Sequence, residues 1–370
     1  METTSQDLPS ALLRTVPEDF IVDELSAYEP SGQGEHLFVR FRKTGLTTMD
    51  AVRQLASALG TDARAAGYAG MKDRHAVTTQ TASFAWPIAR EFETAMAEVR
   101  IPGLEILSFA RHEGKLKPGH LAGNRFRIVL RGLTGDARRS VRARLIQLGD
   151  EGVPNTFGPQ RFGRDGDNPA RALAWLSGRE RGPRDKREQR FLFSSLQAML
   201  FNRVLERREE AGTWRMILAG DVAKKTDSGG LFTVPADGPE LDDALQRGLT
   251  GQIGPTGPIY GSKMRWPEGD VLRLEQEVLA TCFEDPRALD AFRHLGEGTR
   301  RPLRLPVNEL EVTETGDDSL TASFVLPKGG YATTVLGRAC RLVDRGGAGP
   351  TSEARAASVL GTEAHEETEE

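Results

Sequence analysis

Strand-forming runs stand near both ends of this chain, and helical periodicity fills the stretch between them. That order restricts the fold more than any single motif does. Residues 14–24, Arg-Thr-Val-Pro-Glu-Asp-Phe-Ile-Val-Asp-Glu, place Phe20 and Val22 on one face of a strand. Residues 36–42, His-Leu-Phe-Val-Arg-Phe-Arg, form a second β-prone run, and the Gly-rich loop before it predicts an antiparallel hairpin with the first. Further strands are expected over 80–86, 104–110 and 123–131. In the last of these Phe126, Ile128 and Leu130 alternate with Arg125, Arg127, Val129 and Arg131, the pattern of a half-buried strand with a mostly basic outer face. A helix is expected from Thr47, which can cap it with Asp50 three residues on. Met49, Val52, Leu55, Ala56 and Leu59 form its apolar face and Gly60 ends it. Weaker helical patterns cover 90–100 and 136–148.

Near residue 150 the texture changes. An ordered loop rich in turn formers leads into helical patterns at 168–178 and 190–208, then a Gly/Pro-rich stretch with short β-like pieces over 220–260. A helical segment over 275–294 is broken at Pro286. Strands return at 310–315 and 319–326 around Gly316-Asp-Asp, a hairpin signal, followed by a helix within 327–338. The expected class is therefore α+β. A mainly antiparallel sheet would be built from residues 14–150 and 305–344 and interrupted by an inserted α/β domain over 151–304. Residues 1–13 and the acidic tail 345–370 are expected to be disordered.

The formal net charge of -4 argues against a polyanionic partner until its distribution is read. Residues 100–144 carry eleven Lys or Arg against the acids Glu105, Glu113 and Asp136, while residues 353–370 hold six glutamates and one arginine. An acidic end thus masks a basic body, and an aromatic among arginines suits unpaired bases. No apolar run is long enough for a membrane helix, and the first residues lack the pattern of a signal peptide. Cys282 and Cys340 lie far apart, which gives a reducing, cytoplasmic setting as the default. No phosphate-cradling Gly-Lys-Ser/Thr loop, dinucleotide fingerprint, metal-ligand spacing, Gly-x-Ser-x-Gly elbow or reactive-cysteine signature is present.

What chemistry there is concentrates in Gly67-Tyr-Ala-Gly-Met-Lys-Asp-Arg-His-Ala-Val-Thr-Thr-Gln80. Glycines on one side and a Val-Thr-Thr strand signal on the other put Lys72, Asp73, Arg74 and His75 on a tight connection. Asp73 is the sole carboxylate there, ionised at neutral pH and flanked by basic groups. Local chemistry leaves two readings: a solvated turn, or a nucleophile, general base or anchor.

The same stretch resembles the signature of the TruD family of tRNA pseudouridine synthases. Four further strings agree with that family in order: Pro17-Glu-Asp-Phe20, Gly123-Asn-Arg-Phe126, Gly152-Val-Pro-Asn-Thr-Phe-Gly-Pro-Gln-Arg-Phe-Gly163 and Leu326-Pro-Lys-Gly-Gly-Tyr-Ala-Thr333. The match runs from about Arg14 to Leu336. The resemblance implies a pseudouridine-synthase-like catalytic domain with an inserted TRUD domain. It also implies a monomeric isomerase without metal or nucleotide cofactor, acting on tRNA at uridine 13. By the same resemblance Asp73 is the catalytic residue, while Phe20, Asn124, Phe126 and Tyr331 hold the target nucleotide. Arg14 and Lys72 support the carboxylate. Tyr331 stands where phenylalanine is usual, Arg14 where lysine is common, and Thr156 where an aromatic is frequent. Two rivals stay open: a non-catalytic RNA-binding or chaperone protein of the same fold, and a hydrolase using a second acid such as Glu18, Asp19 or Glu24.

Overall fold

The computed structural model describes residues 8–158, 161–163, 165–283 and 285–346. The chain divides into two compact units, Met1–Glu151 with Val307–Glu370, and Gly152–Pro306. The first part of unit 1 runs β1 (Ser10–Leu13), β2 (Phe20–Ser26), β3 (His36–Thr44), α1 (Thr48–Ala58), β4 (Gly67–Tyr68) and β5 (Val77–Ala85). It continues through α2 (Glu93–Glu98), β6 (Leu104–His112), β7 (Leu121–Leu130) and α3 (Gly135–Glu151). Unit 2 contains β8 (Val153–Pro154), α4 (Asn168–Leu176), α5 (Lys186–Glu210), β9 (Val222–Lys225), β10 (Leu231–Thr233) and α6 (Pro239–Leu249). It ends with β11 (Ile253–Ile259), α7 (Gly269–Ala280), β12 (Thr299–Pro302) and β13 (Arg304–Leu305). The chain then returns to unit 1 as β14 (Asn308–Glu314), β15 (Leu320–Pro327), α8 (Ala332–Ala339) and β16 (Arg341–Asp344).

Helices and a mixed, mostly antiparallel sheet make the class α+β. Seven strands run in the order β14-β15-β7-β2-β5-β3-β6, and β4 pairs with β5. The period of two in β3 turns Leu37, Val39 and Phe41 onto Val52, Leu55 and Ala56 of α1, all within one buried cluster. Thr47 caps α1 by accepting the Asp50 N–H, which satisfies one of the helix's orphan donors. Met49, expected on the apolar face, is exposed; only one turn in from the cap, it lies beyond the edge of the sheet-facing stripe. In β7, Phe126, Ile128 and Leu130 are buried and Arg125 and Arg127 exposed, while Val129 is buried as well.

Three expectations fail here. β2 and β3 are not a hairpin. β5 inserts between them, pairing parallel with β2 (Val22 opposite Thr78) and antiparallel with β3. Proximity in sequence favours hairpins, yet β5, buried from Thr78 to Phe84, takes the central place between them. Residues 10–13, expected to be disordered, form β1 and pair in parallel with β16, Ser10 opposite Arg341 through Leu13 opposite Asp344. Ala11 and Leu13 are buried there, so four residues bury enough to order themselves. Residues 1–7 and 347–370, to which the expected disorder also applied, lie outside the described residues. Within 220–260 the structure adds α6, entered through Pro239 in its first turn.

Unit 2 has its own interior. Leu192, Leu196, Leu200 and Val204 of α5 pack with Tyr260, Met264, Val278 and Leu279. Two buried ion pairs tie elements of unit 2 together: Arg300 of β12 with Glu275 of α7 at 2.7 and 2.8 Å, and Arg208 of α5 with Asp221, just before β9, at 3.0 and 3.2 Å. Among the described residues no helix is long and apolar enough to cross a membrane.

Candidate active site

The register of β2 against β7 sets Phe20 opposite Ile128, Val22 opposite Phe126 and Glu24 opposite Asn124. Alternation then carries Phe20, Val22, Glu24, Asn124 and Phe126 to one face of the sheet. The Phe20 and Phe126 rings meet edge-on with centroids 6.3 Å apart, and Phe126 stacks on Phe324 at 5.5 Å. Both rings are buried. Asn124 is half-buried, and its Oδ1 has no hydrogen-bond partner among the described residues.

Asp73 lies on the connection from β4 to β5, its side chain 58% exposed. The corner between β3 and α1 pins that connection. Lys43 Nζ donates to the Asp73 carbonyl at 2.8 Å and to the Leu46 carbonyl at 2.7 Å. Arg74 Nε donates to the Gly45 carbonyl at 3.0 Å, and the Lys72 N–H donates to Thr48 Oγ at 2.8 Å. A flexible-looking turn is thus held at three consecutive residues. Lys43 is completely buried, and burial lowers its ammonium pKa to about 8 despite the pull of Asp73. It went unremarked in the sequence, although the signal was present: it continues the inward phase 37, 39, 41, 43 of β3.

None of the cations adjacent in sequence forms the ion pair to Asp73. Lys72, expected beside that carboxylate, turns under the loop instead. Its Nζ meets Glu24 Oε2 at 2.7 Å, both side chains buried, and Glu24 Oε1 accepts the Thr81 N–H. The cation facing Asp73 is Arg14, with Nη1 3.4 Å from Asp73 Oδ2. Arg14 also spends its fork on Asp344, Nε to Oδ1 at 3.0 Å with a second bond from Nη2 to Oδ2. It lies 5.2 Å over the Phe20 ring. Its backbone is in the left-handed region, φ 57°, a conformation that costs a residue with a side chain roughly 1–2 kcal/mol. The Asp344 hydrogen bonds raise the Arg14 pKa against the effect of burial. Burial pushes the Asp344 carboxyl up, but Arg14 and the Gly346 N–H outweigh it and leave it below the usual range. Gly346 leaves room for this arrangement: a Cβ there would come within 2.9 Å of Arg14 Nε and 3.2 Å of His75 Cβ, so a side chain would push Arg14 aside.

The structure therefore brings Arg14, Phe20 and Asp73 together, and Phe126 joins them through Phe20. Tyr331 stands at the head of α8 with its ring exposed, and that ring makes no aromatic or hydrogen-bond contact among the described residues. Asp19 and Glu24, considered as second acids, are engaged elsewhere: Asp19 is buried and held by Arg131 at 2.6–3.0 Å, and Glu24 by Lys72. An accessible carboxylate facing one guanidinium can attack an electrophilic carbon or remove a proton.

The chain superposes on the crystal structure of a protein described as tRNA pseudouridine synthase D from Methanosarcina mazei with a TM-score of 0.72, covering 92% of this chain and 96% of that one at 22% identity. The mixed sheet with its insertion is thus the fold of that structure. The sequence profile described as tRNA pseudouridine synthase D (TruD) matches residues 3–168 and 185–339. A relative named tRNA pseudouridine synthase D from Anaeromyxobacter sp. (strain Fw109-5) is 46% identical over 335 residues, 88% of this chain and 90% of the relative. One from Thermus thermophilus is 39% identical over 336 residues, covering 90% of each. The chain belongs to the tRNA pseudouridine synthase D family.

Proposed function

We propose that this pseudouridine synthase isomerises uridine 13 of tRNA in the cytoplasm, as a monomer, with Asp73 as the catalytic carboxylate. The observation that carries this is the accessible Asp73 side chain facing Arg14 above the Phe20 ring. The reaction breaks the bond from ribose C1′ to uracil N1 and forms one from C1′ to C5, with the C5 proton moving to solvent and N1 gaining one. It is neutral in mass. The Asp73 carboxylate starts either route, attack on the sugar or proton removal, and the Arg14 guanidinium 3.4 Å away orients it. The target base must leave its stack, at about a few kcal/mol. Phe20, Phe126 and the exposed Tyr331 ring offset that cost by packing on it. Asn124 Oδ1, unpartnered among the described residues, can accept from uracil N3–H or a ribose hydroxyl. Lys72 acts beneath the loop, through Glu24, rather than on the carboxylate itself.

The test uses a tRNA transcript with uridine at position 13 and a pseudouridine-specific chemical adduct as readout. Wild type converts that uridine, and Asp73→Asn gives no detectable product while binding the transcript within about threefold of wild type (~0.7 kcal/mol). Full turnover by Asp73→Asn removes the aspartate from catalysis. Binding without conversion by wild type instead supports the non-catalytic reading.

A further inference from the structure

Phe157 and Arg161, from the stretch that opens unit 2, line a cavity within that unit. The cavity holds about 290 Å³ and is lined by Phe157, Arg161, Gln197, Thr299 and Arg301, among others. We propose that it binds a phosphate of the RNA backbone, with Arg161 as the principal donor. This rests on the reading of tRNA as substrate.

The walls are fixed before any ligand arrives. Asn202 of α5 clasps the backbone of Phe157 in both directions, accepting its N–H at 2.8 Å and donating to its carbonyl at 3.0 Å. Ser195 of α5 donates to the Arg161 carbonyl at 2.8 Å. Two arginines then frame one ring: Arg301 lies 4.2 Å and Arg161 5.9 Å from the Phe157 centroid. Arg301 is oriented by Asn155, whose Oδ1 it meets at 2.5 Å. The neighbouring Arg300 is different in kind, since Glu275 and Thr256 satisfy it internally. Arg161 is not satisfied: its Nε is buried and has no partner among the described residues.

A buried, unmet donor on a cation is costly, and an anionic oxygen removes that cost. The described lining residues include three arginines and no carboxylate. Neutral hydroxyl and amide groups complete the wall. A planar guanidinium in a rigid frame suits the paired oxygens of a phosphodiester. Contacts of this type position an RNA without reading its sequence, which is what an isomerase needs to present one uridine of a folded substrate.

The experiment measures tRNA transcript binding by the full chain across a salt series. Arg161→Gln weakens binding about tenfold and lowers the slope of log K against log salt by about 0.7–0.9, the loss of one phosphate contact. Ser194→Asp, which leaves Arg161 intact and puts a carboxylate at the cavity wall, weakens binding at least as much. Arg187→Gln, an exposed arginine elsewhere on α5, leaves both affinity and slope unchanged. Wild-type curves for both Arg161→Gln and Ser194→Asp overturn the site, and so do equal losses in all three variants. Calorimetric binding of inorganic phosphate that Arg161→Gln abolishes, with tRNA binding unaltered, overturns the assignment to RNA. Failure of the proposed function reads separately, as tRNA binding without conversion of uridine 13.

Discussion

Arg14 serves two carboxylates, and the unequal division is informative. Asp344 takes two hydrogen bonds while Asp73 receives one contact at 3.4 Å. The strong pair orients the cation, and the loose one leaves the Asp73 carboxylate accessible. Asp344→Asn keeps the shape and removes the charge, so Arg14 is drawn wholly onto Asp73. Turnover should fall about tenfold (~1.4 kcal/mol), with KM for tRNA within about twofold, in steady-state kinetics. An unchanged kcat would mean that Asp344 only holds the strands. Lys43 offers a different measurement. Its pKa falls to about 8 in the fold, against a reference near 10.4 when unfolded. Between those values the unfolded chain binds the extra proton, so stability rises with pH across that window. Wild type should therefore gain on Lys43→Met in urea unfolding as pH goes from 8 to 10. The two residues differ in legibility. Lys43 was readable from strand phase, whereas no periodicity could have told that Lys72 turns to Glu24 and that the partner of Asp73 lies nearly sixty residues away.

The elements that hold Arg14 are short. β1 and β16 are four residues each, paired in parallel, and the Arg345 N–H closes onto the Leu13 carbonyl at 2.8 Å. Leu13, completely buried, immediately precedes Arg14. Leu13→Ala should cost about 2–5 kcal/mol of stability, seen as a lowered melting temperature. At a temperature where the variant is still folded, kcat should drop further than Asp344→Asn alone explains, because the left-handed Arg14 backbone loses its anchor. Full activity in the folded variant would show that the strand pair is dispensable to the site. Caps, alternation and the β14–β15 hairpin were legible in sequence because each is settled by neighbours within a few residues. The β1–β16 and β2–β5 pairings were not, since four apolar residues mean little until a distant partner supplies the other edge.

The two compact units follow from where apolar residues recur along the whole chain, which is why the change of texture near residue 150 could be read at all. Which strands share a sheet could not, because topology is decided by total burial rather than by order. Unit 2 also closes on itself: Val153 pairs with Leu305, and Pro154 with Arg304, so its two ends lie side by side. Its interior of α5, α7 and Tyr260 and its buried pairs Arg300–Glu275 and Arg208–Asp221 lie entirely within residues 152–306. At ~155 residues it is within the usual size of an independently folding domain. Residues 152–306 expressed alone should then melt in one cooperative transition with helical circular dichroism. Glu275→Gln in that fragment should lower its stability by about 3–5 kcal/mol, because the buried Arg300 loses its compensating charge. A fragment that is molten before heating would mean that unit 2 needs unit 1 to fold, and the texture change would then mark a change of structure without a change of domain.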